Sequence, residues 1–311
     1  MNPEKIERCF WLLFGGWLIL RSLLLWAQYT GNTDPAAAGE VLKFFSQADI
    51  SAGRDYALRG FWFKAVYGIL YASILVAFLR FGVFAQLWQK ANSLAGTGVF
   101  RGDLVFILAF LLIIQLLSLP SAIYFGHFRE TAAGFARIDF AGWLLKHAKA
   151  VGISMLFETI IIMLFLSVIR WFPGRWPFIV PVVMGGFGLA VTFLVPLVIT
   201  PLFYSQRPLE QGEFREGLLK MADKAGMSVK EIYVIDESRY SSHTNAYFTG
   251  VGSFRRIVLY DTLIKSHTPD EAALIFAHEA GHWKHNHVAW GLSLGVIGVL
   301  ACCLAWFYLY A

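Results

Sequence analysis

Long hydrophobic runs alternate with short polar connections along most of this chain, and the pattern changes only between residues 205 and 287. Runs at Phe10–Tyr29, Phe61–Leu87, Leu104–Phe125, Ala148–Trp171, Phe178–Tyr204 and Val288–Tyr310 are each long enough to cross a bilayer as a helix. Pro120, Pro181, Pro196 and Pro201 predict kinks or ends, which membrane helices tolerate when neighbours re-satisfy the backbone. A short helix, Ala36–Ser46, is expected in the polar stretch between the first two runs. Residues 205–287 read as a water-soluble fold. Glu210–Ala225 is an amphipathic helix stopping at Gly226, and Glu231–Asp236 reads as a short strand. Asn245–Val251 and Arg256–Asp261 predict two more strands, joined through Gly252-Ser253-Phe254 as a hairpin. The expected fold is mainly α: a polytopic transmembrane bundle of about six spans, with a small α+β domain inserted before the last. The domains divide as 1–204, about five membrane helices, and 205–311.

Composition supports a membrane class. Of 311 residues, 57% are hydrophobic and only 15% charged, against about 25% in a soluble domain. The net charge of +5 calls for no nucleic-acid partner, because basic loops are what membrane topology demands. Ala36-Ala37-Ala38 offers a small-residue cleavage region, but the mixed-charge start and Arg21 inside the first run favour a retained helix. Cys9, Cys302 and Cys303 lie in or beside apolar segments with no pairing pattern, which reads as packing. Arg21, Lys64, Arg80 and Glu158 are ionisable groups inside the runs. The first three are placed to snorkel, whereas Glu158 sits mid-span and reads as a structural ion pair or a protonated carboxyl. Six spans put the ten Lys and Arg of 205–287 on one side, and their number suits a cytoplasmic face.

The chemistry concentrates in Ala277–Trp283, an H-E-x-x-H motif. Residues i and i+4 share a helix face, so His278 and His282 can offer two imidazoles to one metal ion. Glu279 then lies beside the ion, placed to take a proton from water and return it to a leaving amine. Two neutral imidazoles, a carboxylate and a water form a common catalytic zinc set. Thr268-Pro269-Asp270-Glu271 announces the helix as an N-cap, a first-position proline and a capping-box glutamate. A strand edge beside such a helix can hold an extended peptide by backbone hydrogen bonds, or the hairpin can simply pack the helix.

Three stretches together resemble the integral-membrane zinc metallopeptidases of the CAAX prenyl protease 1 type, in their bacterial form. They are Asn245–Gly252 with Arg255–Leu263; His278–Lys284 with His287; and, more weakly, Leu119-Pro120, Tyr124, Gly134-Phe135, Asp139 and Lys146. The resemblance implies helices around a water-filled chamber, one zinc ion on His278 and His282, and Glu279 as general base. It also implies that the backbone of Asn245, Ala246, Tyr247 and Phe248 holds substrate as a strand. The family's third zinc ligand is a downstream glutamate, and no Asp or Glu follows Glu279 here. The third ligand is therefore expected beyond Ala311, in a chain that reads as truncated. Local substitutes fit poorly. His285 lies a further turn along, and the longer metzincin pattern needs glycine and histidine where His285 and Val288 stand. His243, Asp261 and Asp270 are distant alternatives.

The leading expectation is a membrane-embedded zinc metalloendopeptidase in a bacterial inner membrane, its peptidase domain on the cytoplasmic side. Its partners would be peptide or protein substrates, membrane-associated ones among them, and the lipid bilayer. The alternative is an inactive membrane scaffold that keeps the fold. A transporter would require matching broken helices in two halves, and no such symmetry is visible.

Overall fold

The computed structural model describes residues 39–249 and 256–310 except 97, 228 and 230, together with 11, 14–17, 19–24, 26 and 27. The expected hairpin turn at Gly252-Ser253-Phe254, the cleavage region at 36–38 and Cys9 lie outside these residues, as does much of the Phe10–Tyr29 run. Its described parts are helical. The chain forms two compact units, residues 1–129 with 309–311, and residues 130–308.

In the first unit, α1 (Gln47–Arg80) starts well before the apolar run that predicted it. Ser46 explains the early start. Its hydroxyl accepts from the Asp49 N–H while the Asp49 carboxylate accepts from the Ser46 N–H, which is a complete capping box. The expected single helix to Leu87 is instead broken at Gly82, whose φ of 66° only glycine adopts freely, and α2 (Val83–Ala95) follows. Next comes α3 (Val99–Ile123), continuing through a π-turn at Tyr124–Phe128. Arg21 lies against Gly68, where an added Cβ would sit 2.3 Å from a guanidinium nitrogen, and it donates to the Lys64 carbonyl at 3.1 Å. Glycine here leaves room for a charge that would otherwise face lipid.

The second unit holds the spans α4 (Phe140–Trp171) and α5 (Trp176–Leu194). Asp139 caps α4 by accepting from the Gly142 N–H at 2.8 Å. Pro120 and Pro181 lie inside helices, and Pro196 sits in a π-turn at Val195–Ile199. The Val195 carbonyl accepts both the Thr200 backbone N–H and, at 3.0 Å, the Thr200 hydroxyl, which closes the turn. Proline therefore ends none of these helices. Glu158 is half-buried in mid-helix, and among the described residues no ion pair reaches it, so of its two expected states the ion pair is not found.

A four-stranded sheet follows, where three strands were expected. It comprises β1 (Gln206–Pro208), β2 (Ile232–Ile235), β3 (Ala246–Thr249) and β4 (Arg256–Tyr260) in the order β1-β2-β4-β3. β3 and β4 pair antiparallel as the hairpin required, while β2 and β4 run parallel. The amphipathic helix α6 is Glu213–Lys224, and α7 is Asp261–Ser266. Next come α8 (Pro269–Lys284) and the span α9 (His287–Tyr310). Ile232 and Val234 of β2, Ile257 and Leu259 of β4, Leu218 of α6 and Phe276 of α8 bury one shared core. The chain is thus a mainly helical, multi-pass membrane protein. Five described helices, α1, α3, α4, α5 and α9, are long and apolar enough to cross a bilayer.

Candidate metal centre

The core fixes where the motif points. Ala272, Phe276 and Ala280 recur every four residues and are buried against the sheet. His278 and His282 lie two positions past Phe276 and Ala280, about 200° around the helix, so they face away from that core. The helix start is fixed by the predicted capping box. The Thr268 N–H donates to Glu271 at 2.8 Å, and the Glu271 N–H donates to the Thr268 hydroxyl at 3.3 Å.

His278 and His282 bring their Nε2 atoms 3.3 Å apart. Two imidazole nitrogens bound ~2.0–2.1 Å from one tetrahedral ion lie about 3.3 Å from each other. The pair therefore fits a shared metal ion without rearrangement. Glu279, half-buried, places a carboxylate oxygen within 4.8 Å of a ring nitrogen of each histidine, close enough for one water between. Among the described residues no other His, Cys, Asp or Glu joins this group. The distant alternatives are engaged elsewhere. His243 Nε2 meets Glu130 at 2.6 Å, and Asp261 takes the Ser238 N–H at 2.8 Å and Lys265 Nζ at 2.8 Å. Burial alone would raise the Asp261 pKa, but these bonds from Lys265 and Ser238 hold its carboxyl below the usual range. Asp270 remains in the first turn of α8.

Asn245, Ala246, Tyr247 and Phe248 lie at the end of the sheet order, so β3 is an edge strand. The Phe248 ring meets Phe276 of α8 edge-on at 5.6 Å, joining edge and metal helix. The Tyr260 N–H donates to the Asn245 carbonyl at 3.0 Å, and bonded pairs in an antiparallel ladder recur every second residue. Tyr247 therefore spends its backbone groups on β4, while those of Ala246 and Phe248 face the open edge. The Ala246 N–H is taken by its neighbour's side chain, Asn245 Oδ1, at 2.9 Å.

The weaker stretch of the resemblance has a structural meaning. Ala136 bridges to Ser241, the Arg137 N–H donates to the Tyr240 carbonyl at 2.9 Å, and the Ser242 N–H to the Phe135 carbonyl at 2.9 Å. Lys146 Nζ meets Tyr204 Oη at 3.1 Å and lies 3.6 Å from the Tyr240 ring centre. Burial and the neighbouring Glu237 push the Tyr204 phenol well above its ordinary pKa, so it stays protonated. Sequence reading gave these residues no work. Their lysine-over-tyrosine pattern becomes visible only when three separate segments meet.

Fold and motif together define a multi-pass membrane protein built on the H-E-x-x-H metallopeptidase plan. Residues 27–205 match the family described as "CAAX prenyl protease N-terminal, five membrane helices", and residues 208–311 match peptidase family M48. The chain belongs to that family of integral-membrane CAAX-protease-type metallopeptidases. It is 32% identical over 224 residues to CAAX prenyl protease 1 of Saccharomyces cerevisiae, covering 68% of this chain and 49% of the relative. It is 28% identical over 270 residues to the CAAX prenyl protease 1 homolog of Arabidopsis thaliana, covering 85% and 64%. The crystal structure of S. mikatae Ste24p superposes with a TM-score of 0.82 at 27% identity, over 92% of this chain and 68% of that one. The chain spans about half the length of the yeast relatives it matches.

Proposed function

We propose that this protein is a membrane zinc metalloendopeptidase in which His278 and His282 hold the ion through Nε2 and Glu279 is the general base. In this reading residues 1–204 form the N-terminal membrane domain and 205–311 the peptidase domain. The observation that carries the reading is the 3.3 Å approach of two Nε2 atoms with a carboxylate beside them. A bound zinc ion supplies Lewis acidity, drawing the pKa of a water toward ~7 and polarising a carbonyl oxygen. Glu279 accepts the proton of the attacking water and passes it to the leaving amine nitrogen. The open edge of β3 holds an extended peptide or protein segment through the Phe248 N–H and the Ala246 and Phe248 carbonyls. The ten Lys and Arg between residues 205 and 287 favour a cytoplasmic face, in a bacterial inner membrane.

The competing reading is a scaffold without hydrolysis, favoured by the described group offering only two histidine ligands once Glu279 is assigned as the base. Zinc stoichiometry separates the two. About one zinc per chain, lost in His278→Ala and kept in Glu279→Gln, with proteolysis reduced about 10²–10⁴-fold by Glu279→Gln, is expected of the peptidase. No zinc and no cleavage would leave the scaffold. Phe248→Pro removes an open-edge N–H, and it is expected to impair cleavage more than Tyr247→Phe. Equal turnover in both variants would make the edge purely structural.

A further inference from the structure

His282 has a second ring nitrogen, and it is not idle. Its Nδ1 lies 2.7 Å from Nδ1 of His287, while its Nε2 faces His278. On an uninterrupted helix, position 287 would lie about 140° around the axis from position 282, and the two rings would point apart. The chain avoids this by breaking at Asn286, the only described non-glycine residue with positive φ, at 52°. The His285 N–H closes on the Gly281 carbonyl at 3.1 Å and the Asn286 N–H on Trp283 at 2.9 Å, ending α8. The Trp290 N–H then bonds the Asn286 carbonyl at 3.0 Å, and α9 starts at His287. The break swings the His287 ring back onto His282. Asparagine is among the few L residues that occupy this backbone region at modest cost.

From this geometry, and resting on the zinc reading above, we infer that His287 is a positioning residue that fixes the tautomer and orientation of the metal ligand His282. An imidazole that offers its Nε2 lone pair to a metal carries its proton on Nδ1. That N–H donates to Nδ1 of His287, which accepts only if the His287 proton sits on its own Nε2. The hydrogen bond thus selects one tautomer in each ring and holds the His282 plane toward His278. His287 does not itself ligate, because the nitrogen nearest the site is spent on His282. Outer partners of this kind typically contribute 10–100-fold to metal affinity.

The test uses the purified 311-residue chain in detergent, titrated with zinc against a competing chelator. His287→Phe keeps the ring and loses both nitrogens, and it is expected to weaken zinc binding about 10–100-fold. His287→Asn places its side-chain oxygen where His Nδ1 stood, and it is expected to restore affinity to within a few-fold of wild type. With cobalt in place of zinc, the visible absorption spectrum should change in His287→Phe and return in His287→Asn, a rescue that mere packing would not give. Wild-type affinity in a folded His287→Phe overturns the inference, and so does a His287→Asn protein that binds no better than His287→Phe. Where His287→Phe fails to fold, His287→Asn decides alone: affinity more than tenfold below wild type counts against the role. If wild type binds zinc and His278→Ala does not, these failures touch only His287. If wild type binds no zinc at all, the zinc reading and this one fall together.

Discussion

α8 and α9 are consecutive helices separated by two residues, and they are built for different solvents. α8 carries a capping box, an N1 proline and acidic residues in its first turn, and it buries one stripe, Ala272-Phe276-Ala280, against the sheet. α9 has no acidic residue, is apolar all round and leaves Leu294 62% exposed, whereas Phe276 of α8 is fully buried. In water a helix needs an apolar stripe to hold it and caps to close its ends. In a bilayer the lipid tails are as apolar as leucine, so the outward face contributes little and close packing between helices decides stability.

That contrast can be broken by substitution, most severely at Phe276. Phe276→Ala is expected to cost about 3–5 kcal/mol, because the ring fills the core under the sheet. The same truncation at Leu294 should cost under about 0.5 kcal/mol, since its side chain leaves lipid for lipid. Thermal melts of both variants in detergent or lipid nanodiscs check the pair, and equal losses would erase the distinction.

A smaller effect sharpens the picture on the water side. Asp261→Asn weakens the bonds to Ser238 and Lys265 and should cost about 1–3 kcal/mol at neutral pH. The folded carboxyl has a depressed pKa, so its stabilisation is complete above the unfolded value near ~3.9 and is lost as pH falls through the folded one. The melting gap between wild type and Asp261→Asn should therefore close in acid, and a gap that widened below pH ~4 would contradict this sign. The cap is a smaller effect than the loss at Phe276 or Asp261: Thr268→Ala should cost about 1 kcal/mol, read as a modest drop in melting temperature.

How far the sequence showed these features depends on the solvent too. The motif helix was legible because its caps and four-residue period are local, and so were β3 and β4. The spans were recognisable as apolar runs, but their ends were not. α1 runs through Arg54, Asp55 and Arg59 on capping and propensity, beyond anything hydropathy marks. The break at Gly82 depends on backbone angles no composition shows. β1 is three residues ending in proline, and the parallel pairing of β2 with β4 is a long-range choice that strand patterns leave open. The grouping of His278, Glu279 and His282 could be read from spacing alone. The place of His287 depends on where the helix stops, which a five-residue separation does not reveal.

The spans α4, α5 and α9 also pack closely among themselves, with Val168, Trp176, Val180 and Cys303 buried together. On α5 a Cβ built at Gly185 would meet Val296 at 2.8 Å, and one at Gly188 would meet Leu292 at 3.3 Å, both on α9. α9 is a nearly incompressible rod whose first residue is His287, about 14 Å along the axis from Val296 at 1.5 Å per residue. Two hydrogen atoms on α5 therefore act as the stop against which that rod is seated. A single methyl group there would be a spacer inserted at one end of a lever, with the ring that braces His282 at the other.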